Sequence, residues 1–370
     1  MRNTLIVLHR WLALIVGIVL ALVAASGAAL VFEGAIDRAL NPGLWRVTPG
    51  ATPLRIDSLV TLVEAASHGA KVGSVGFPSA ADQAWTMNAG PVTTFVDPYT
   101  GRINGTRTAA QGQATLARRL HVFHVELMAG KAGRSIVGAV TAVALFLLVT
   151  GVVLWWPDKL LRIHTRASWK RINFDLHHAL GIFAAPVLII ITASGLIIHY
   201  DALTKLVLSL DAAPAPRPPA QPAAPAGPRI TARLSFDTIA AHARGALPGA
   251  ELRSIGIGGA KNPIVAGLRY PEDRTPGGRS RVFIDRYTGA VLATISTRTA
   301  EPGTRIDNLK RSLHTGDVLG KPSEAVWLVA ALLMVSQVVT GALMWWNARR
   351  GRRRAVLLSE TERDRNLKGR

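Results

Sequence analysis

The chain has no cysteine among its 370 residues, which excludes disulfides, thiolate-bound metals and any cofactor tethered through a Cys-x-x-Cys-His motif. Carboxylates are also sparse: 23 Asp and Glu stand against 43 Lys and Arg, for a net charge of +20. No acid–base triad is visible, and Gly256-Ile257-Gly258-Gly259 lacks the spacing of a dinucleotide fingerprint. Four long stretches contain no charged residue at all: Trp11 to Phe32, Ser135 to Trp156, Ala179 to Ile198 and Ala325 to Trp346.

Each of these stretches is close to the roughly 20 apolar residues that carry a helix across a hydrocarbon layer. They predict an integral membrane, α-helical fold with four transmembrane helices. The positive charge then has a topological meaning rather than a nucleic-acid one. Lys159, Arg162, Arg166, Lys170 and Arg171 lie between the second and third stretches, and Arg349, Arg350, Arg352, Arg353 and Arg354 follow the fourth at once. Short basic segments at membrane exits mark the cytoplasmic side, so both termini are expected inside and both long loops outside. The small residues Ala24 to Ala29 offer a rival reading of the first stretch as a cleaved signal peptide, but its apolar run exceeds a signal core.

An internal repeat argues further for keeping that stretch. Leu8-His9 is followed by Ser26-Gly27 at the same spacing at which Leu176-His177 is followed by Ser194-Gly195. His124 precedes Thr150-Gly151 and Trp155-Trp156 just as His314 precedes Thr340-Gly341 and Trp345-Trp346. The long loops repeat too, since Phe95-Val96-Asp97-Pro98-Tyr99-Thr100-Gly101 corresponds to Phe283-Ile284-Asp285-Arg286-Tyr287-Thr288-Gly289. Both segments read as a strand entering a Gly-closed turn, and both follow amphipathic helical patterns, Ile56 to Ser67 and Phe236 to Leu247. Two small α+β domains are therefore expected, the second preceded by an extended Pro/Ala linker at 212–228. The boundaries read from the sequence are transmembrane helices at 1–32, 124–156, 177–200 and 314–347, loop domains at 33–123 and 201–313, a short loop at 157–176 and a basic tail at 348–370.

The repeat also sorts the ten histidines. His9, His177, His124 and His314 occupy equivalent positions in the two halves, whereas His68, His164 and His242 have no equivalent and read as solvated or locally bonded. Ionisable groups near a membrane are costly and usually functional. Topology places His9 with His177 at one face and His124 with His314 at the other. Two histidines at one depth on facing helices can clamp an iron from both axial sides, in the space where a bundle holds such a cofactor. Imidazole suits haem iron, and Gly17, Gly27, Gly181 and Gly195 would let a flat macrocycle approach the backbone. Zinc or copper is the competing cofactor, but zinc takes three or four protein ligands. A structural role for all four histidines is the remaining alternative. Arg10 is placed to pair with a haem propionate, and its equivalent, His178, departs from that pattern. His121 and the unrepeated His199 are alternative cofactor contacts, while the tryptophan pairs read as interfacial anchors.

Leu8-His9-Arg10-Trp11, His124-Val125-Glu126-Leu127 with Gly130 and Gly133, Asp175-Leu176-His177 with Gly181, and Leu313-His314-Thr315-Gly316 with Gly320 resemble the PepSY-associated transmembrane family, over nearly the whole chain. The resemblance implies an iron-regulated protein of the bacterial inner membrane, with PepSY-like domains in the periplasm. It also implies two b-type haems, with His9, His177, His124 and His314 as axial-ligand candidates. The activity implied is reduction of a ferric-siderophore, which releases Fe(II) because hard oxygen donors hold Fe(III) far better. The cytoplasmic segments are too short for a nicotinamide or flavin domain, so a separate electron donor is expected, a quinol or a soluble reductase. The rival expectations are a non-enzymatic PepSY-type protein that binds a partner or modulates a protease, and a permease for iron or its chelates.

Overall fold

A computed structural model describes residues 2–156, 161–213, 218–222, 234–259 and 261–368, with side chains beyond Gly351 not described. Lys159, most of the linker expected at 212–228 and the side chains of Arg352, Arg353 and Arg354 lie outside the described residues. The first half runs α1 (Arg2–Leu30), α2 (Glu33–Leu40), α3 (Pro42–Trp45), α4 (Ile56–Ala66), β1 (Val72–Gly76), β2 (Trp85–Ala89), β3 (Val92–Val96), β4 (Ile103–Thr108), α5 (Ala109–Gln113), α6 (Leu116–Glu126) and α7 (Gly130–Trp155). The second runs α8 (Trp169–His199), α9 (Asp201–Leu208), α10 (Phe236–Ala246), β5 (Glu251–Gly256), β6 (Ile264–Arg269), β7 (Ser280–Ile284), β8 (Val291–Ile295), α11 (Pro302–Thr315) and α12 (Lys321–Lys368).

Four helices are long and apolar enough to cross a membrane: α1, α7, α8 and α12 as far as Gly351. Both α7 and α12 pack on α1 and on α8, so α1 and α8 face each other along one diagonal of the bundle. At mid-height Leu20, Val140, Ala144, Ala184, Leu188 and Met334 close an apolar layer between them.

The spans begin later than the sequence boundaries at 124 and 314. His124 and His314 sit on separate helices, α6 and α11, which stop at the left-handed residues Leu127 (φ 50°) and Gly316 (φ 85°). Hydropathy marks an apolar run but not the corner before it. At the first corner the Glu126 carbonyl lies against Gly133, where any Cβ would collide with it. At the second, the Gly316 carbonyl accepts a hydrogen bond from Ser323 Oγ instead. The third span begins earlier than 177, because α8 extends back to Trp169. There the fully buried Asp175 accepts bonds from the His164 amide and Nδ1, and Arg171 Nε lies 2.8 Å from its other oxygen. The basic tail expected at 348 continues α12 as helix to Lys368.

The sequence predicts two loop domains, and the structure has one. All eight strands form a single antiparallel sheet in the order β4-β3-β2-β1-β5-β6-β7-β8. At its centre Ser74, Val75 and Gly76 of β1 lie opposite Gly256, Ile255 and Ser254 of β5. Leu59 and Val63 of α4, Phe236 and Ile239 of α10, Val75 and Ile255 share one continuous core. A four-stranded half would leave β1 as a bare edge, which is a template for pairing with other strands. Joining the halves removes it. The Asp-x-Tyr-Thr-Gly segments close the outer hairpins: Asp97 Oδ1 accepts from the Tyr99 amide at 2.9 Å and Asp285 Oδ1 from the Tyr287 amide at 2.7 Å.

The two helices of this domain cap each other. Asp57 accepts hydrogen bonds from the Phe236 and Asp237 amides, and Asp237 accepts them from the Ile56 and Asp57 amides. Each carboxylate thereby satisfies orphan amides of the other repeat's helix rather than its own. Burial pushes the Asp237 carboxyl up, but hydrogen bonding with Asp57, the Ile56 amide and Arg55 outweighs this and holds it below its ordinary value. A depressed carboxylate stabilises the fold above its unfolded pKa, and that contribution disappears as pH falls through the folded value. Asp57→Ala and Asp237→Ala are each expected to cost about 1–2 kcal/mol of domain stability. A double-mutant cycle in thermal unfolding checks the coupling, and strictly additive losses would contradict reciprocal capping.

Candidate cofactor site

Four histidines line the α1/α8 diagonal at two heights, and each is held by its Nδ1. His9 on α1 lies 2.9 Å from Thr150 Oγ1 on α7, and His177 on α8 lies 2.9 Å from Thr340 Oγ1 on α12. The Thr150 hydroxyl donates back to the Phe146 carbonyl and that of Thr340 to the Ser336 carbonyl. With their protons committed, both threonines accept from Nδ1–H. At the sheet end of the bundle, His124 Nδ1 lies 2.9 Å from the Val23 carbonyl of α1, with Ser26 Oγ 3.2 Å away. His314 Nδ1 lies 2.9 Å from the Ile191 carbonyl of α8. A carbonyl only accepts, so these rings also carry their proton on Nδ1. All four imidazoles therefore present an Nε2 lone pair, the arrangement in which a metal-ligating histidine is oriented by its second nitrogen.

Glycines seat the rings. A Cβ on Gly27 would lie 2.9 Å from His124 Cε1, and one on Gly195 would lie 2.9 Å from His314 Cε1. At the other height the corresponding distances are 3.6 Å from Gly151 to His9 and 3.3 Å from Gly341 to His177. Gly17 and Gly181, expected to admit a macrocycle, instead abut Val338 and Gln337 of α12.

The rings of His124 and His314 have centroids 6.0 Å apart, with their planes inclined by 50°. A metal held at roughly 2 Å by each of two opposed imidazole nitrogens would set their centroids roughly 6 Å apart, so this pair fits one shared iron. Burial, and next the neighbouring His314, lowers the His124 imidazole to about 4, so it is neutral at physiological pH as a ligand must be. Burial lowers His314 as well. His9 and His177 lie within electrostatic reach of one another. Along α1, His9 and the Val23 carbonyl are about 14 residues apart, roughly 21 Å of helical rise, so the two pairs cannot share one metal. Among the described residues no three His, Asp or Glu side chains converge as a metal-binding group. Paired imidazoles at two heights suit a cofactor needing two axial ligands better than zinc.

The remaining candidates are dispersed. His178 donates from Nδ1 to the Phe174 carbonyl, stacks on Phe174 at 4.1 Å and sits 5.9 Å from His177. Arg10 lies over Trp11, and its buried Nε has no hydrogen-bond partner. His121 is within electrostatic reach of His124. His199 stacks on Tyr200 and faces Gly138 of α7, with Arg134 nearby. The contribution of the Val23 and Ile191 carbonyls has no sequence signal. Those of Ser26-Gly27, Gly195, Thr150-Gly151 and Thr340-Gly341 had one, since these residues recur at fixed distances from the histidines they hold.

No functionally curated protein matches the chain. Residues 6–348 match the family described as the PepSY-associated TM region. A match over nearly the whole chain, together with four apolar helices and a repeat that positions paired histidines, makes this protein a member of the PepSY-associated TM region family.

Proposed function

We propose that this protein is a haem-containing inner-membrane reductase that carries electrons across the bilayer to a ferric-siderophore. The observation that supports it best is the symmetric set of four Nδ1-anchored histidines, paired at two heights of one bundle. When bound, haem b would supply a one-electron Fe(III)/Fe(II) couple at each height. His9 with His177, and His124 with His314, would hold the two irons, and the threonines and carbonyls behind them keep each Nε2 aimed inward. An apolar layer separates the two pairs. The substrate gains one electron per iron, and its oxygen donors release Fe(II) for uptake. A quinol or a soluble cytoplasmic reductase supplies the electrons.

In the reduced detergent-purified protein, a sharp α-band of low-spin b-type haem is expected, with the pigment extractable by acid-acetone because no cysteine tethers it. A colourless preparation from haem-replete cells would sink the redox reading in favour of a PepSY-type binding protein.

The basic segments around Lys170 and Arg349 support cytoplasmic termini and a periplasmic sheet domain. Because the chain lacks cysteine, single-cysteine labelling is free of background. Cysteine at Arg166 should resist an impermeant maleimide in intact spheroplasts, and cysteine at Lys261 should react. The reverse pattern would invert the direction of electron flow.

A further inference from the structure

The internal repeat relates the two histidines within each pair to one another, but the residues beside them differ between its halves. Arg10 follows His9, whereas His178 follows His177. Arg311 stands three residues before His314 on the same side of α11, whereas His121 stands three residues before His124 on α6. At these repeat-related positions each end of the bundle thus receives one guanidinium and one imidazole, with the guanidinium drawn from opposite halves. Among the described residues neither Arg10 nor Arg311 is ion-paired. Arg10 Nε is buried without a partner, and Arg311 lies within electrostatic reach of His314.

We propose that Arg311 is the anion-holding residue at the sheet end, taking a carboxylate of the bound cofactor there as Arg10 takes one at the opposite end. The assignment rests on the haem reading above. Haem carries two propionates, and a carboxylate at the edge of an apolar bundle needs a fixed cation beside it. Arg10 is half-buried and Arg311 exposed, and guanidinium suits both places because it is always charged and meets a carboxylate with two parallel N–H donors. The imidazole at each end is a second hydrogen-bonding group, so these repeat positions have the same composition at both ends although not in both halves.

The test reconstitutes the full-length apoprotein with haemin or with its dimethyl ester, in which both propionates are blocked. Wild type, Arg311→Gln, Arg311→Lys and Arg10→Gln are compared by redox titration of the α-band and by haem release to excess apomyoglobin. With haemin, Arg311→Gln is expected to lower the midpoint potential of one centre and speed its haem release about tenfold, the effect of losing a charge-assisted hydrogen bond. Arg10→Gln should do the same to the other centre, and Arg311→Lys should recover part of the loss. With the ester, wild type and Arg311→Gln should release haem at the same rate, since the carboxylate that the guanidinium would hold is blocked. The untouched centre in each variant serves as the control for folding. Indifference of the haemin-loaded protein to Arg311→Gln, or a difference in haem release that persists with the ester, overturns the assignment alone. A wild type that takes up no haem overturns the proposed function and this assignment with it.

Discussion

His124→Ala is expected to remove, or convert to high spin, one of two low-spin haems, leaving about half of the reduced α-band. The rings of His124 and His314 lie 6.0 Å apart, and loss of either leaves a single imidazole that cannot by itself make a low-spin centre. His314→Ala should therefore have the same effect, and the double variant should add little to either single one. Pairing His9→Ala with His314→Ala should abolish both centres, since their ligand sites are separated by most of the bundle height. Electron delivery to a ferric chelate should fail in all of them, because a conduit needs both stations. Optical and electron paramagnetic resonance spectra of the purified variants decide the matter. Two intact low-spin haems in His124→Ala would shift the ligand to His121 or His199 and break the repeat argument at α6.

Gly195→Val should empty the same centre without touching a ligand. The His314 ring rests on Gly195 so closely that even a Cβ comes within 2.9 Å of it, and a branched side chain must displace the imidazole. Displacement breaks the bond from Nδ1 to the Ile191 carbonyl and redirects Nε2. The apoprotein should not be destabilised in proportion, because replacing glycine within a helix favours the helix by up to about 1 kcal/mol. Low haem content with an unchanged or raised apoprotein melting temperature is the expected signature. Alanine should rank the four seats by distance, with Gly27→Ala and Gly195→Ala most harmful, Gly341→Ala intermediate and Gly151→Ala mildest. Full occupancy in Gly195→Val would mean that the ring does not need this seat.

Much of this arrangement is legible in the residues. Hydropathy alone locates the four spans, and the amphipathic patterns at Ile56 and Phe236 give α4 and α10 to within a residue. The repeat separates His9, His124, His177 and His314 from the other six histidines, and the structure gathers these four along one diagonal. The corners before α7 and α12 were not legible, because Leu127 adopts a left-handed conformation that its residue type disfavours and that tertiary packing enforces. The partners of the imidazoles were half legible: serine, threonine and glycine recur in sequence, but a backbone carbonyl leaves no trace there. The merging of the loop domains was invisible for another reason. Strand pairing depends on which edge is left uncovered, and β1 meets β5 across almost half the chain.

That meeting has a consequence for how such a molecule can exist. Val75 pairs with Ile255, its own counterpart, and Ser74 and Gly76 pair crosswise with the counterparts of Gly76 and Ser74. The reciprocal Asp57 and Asp237 caps obey the same rule. A contact in which each residue meets the equivalent of its partner is the mark of an isologous two-fold interface. The two halves thus meet within one polypeptide as the subunits of a two-fold dimer would. A half-length version would be obliged to associate with itself, and any change beside a ligand histidine would then appear in both protomers alike. With both halves in one chain that constraint is absent, and Arg10 stands where the other half has His178, and Arg311 where the other half has His121.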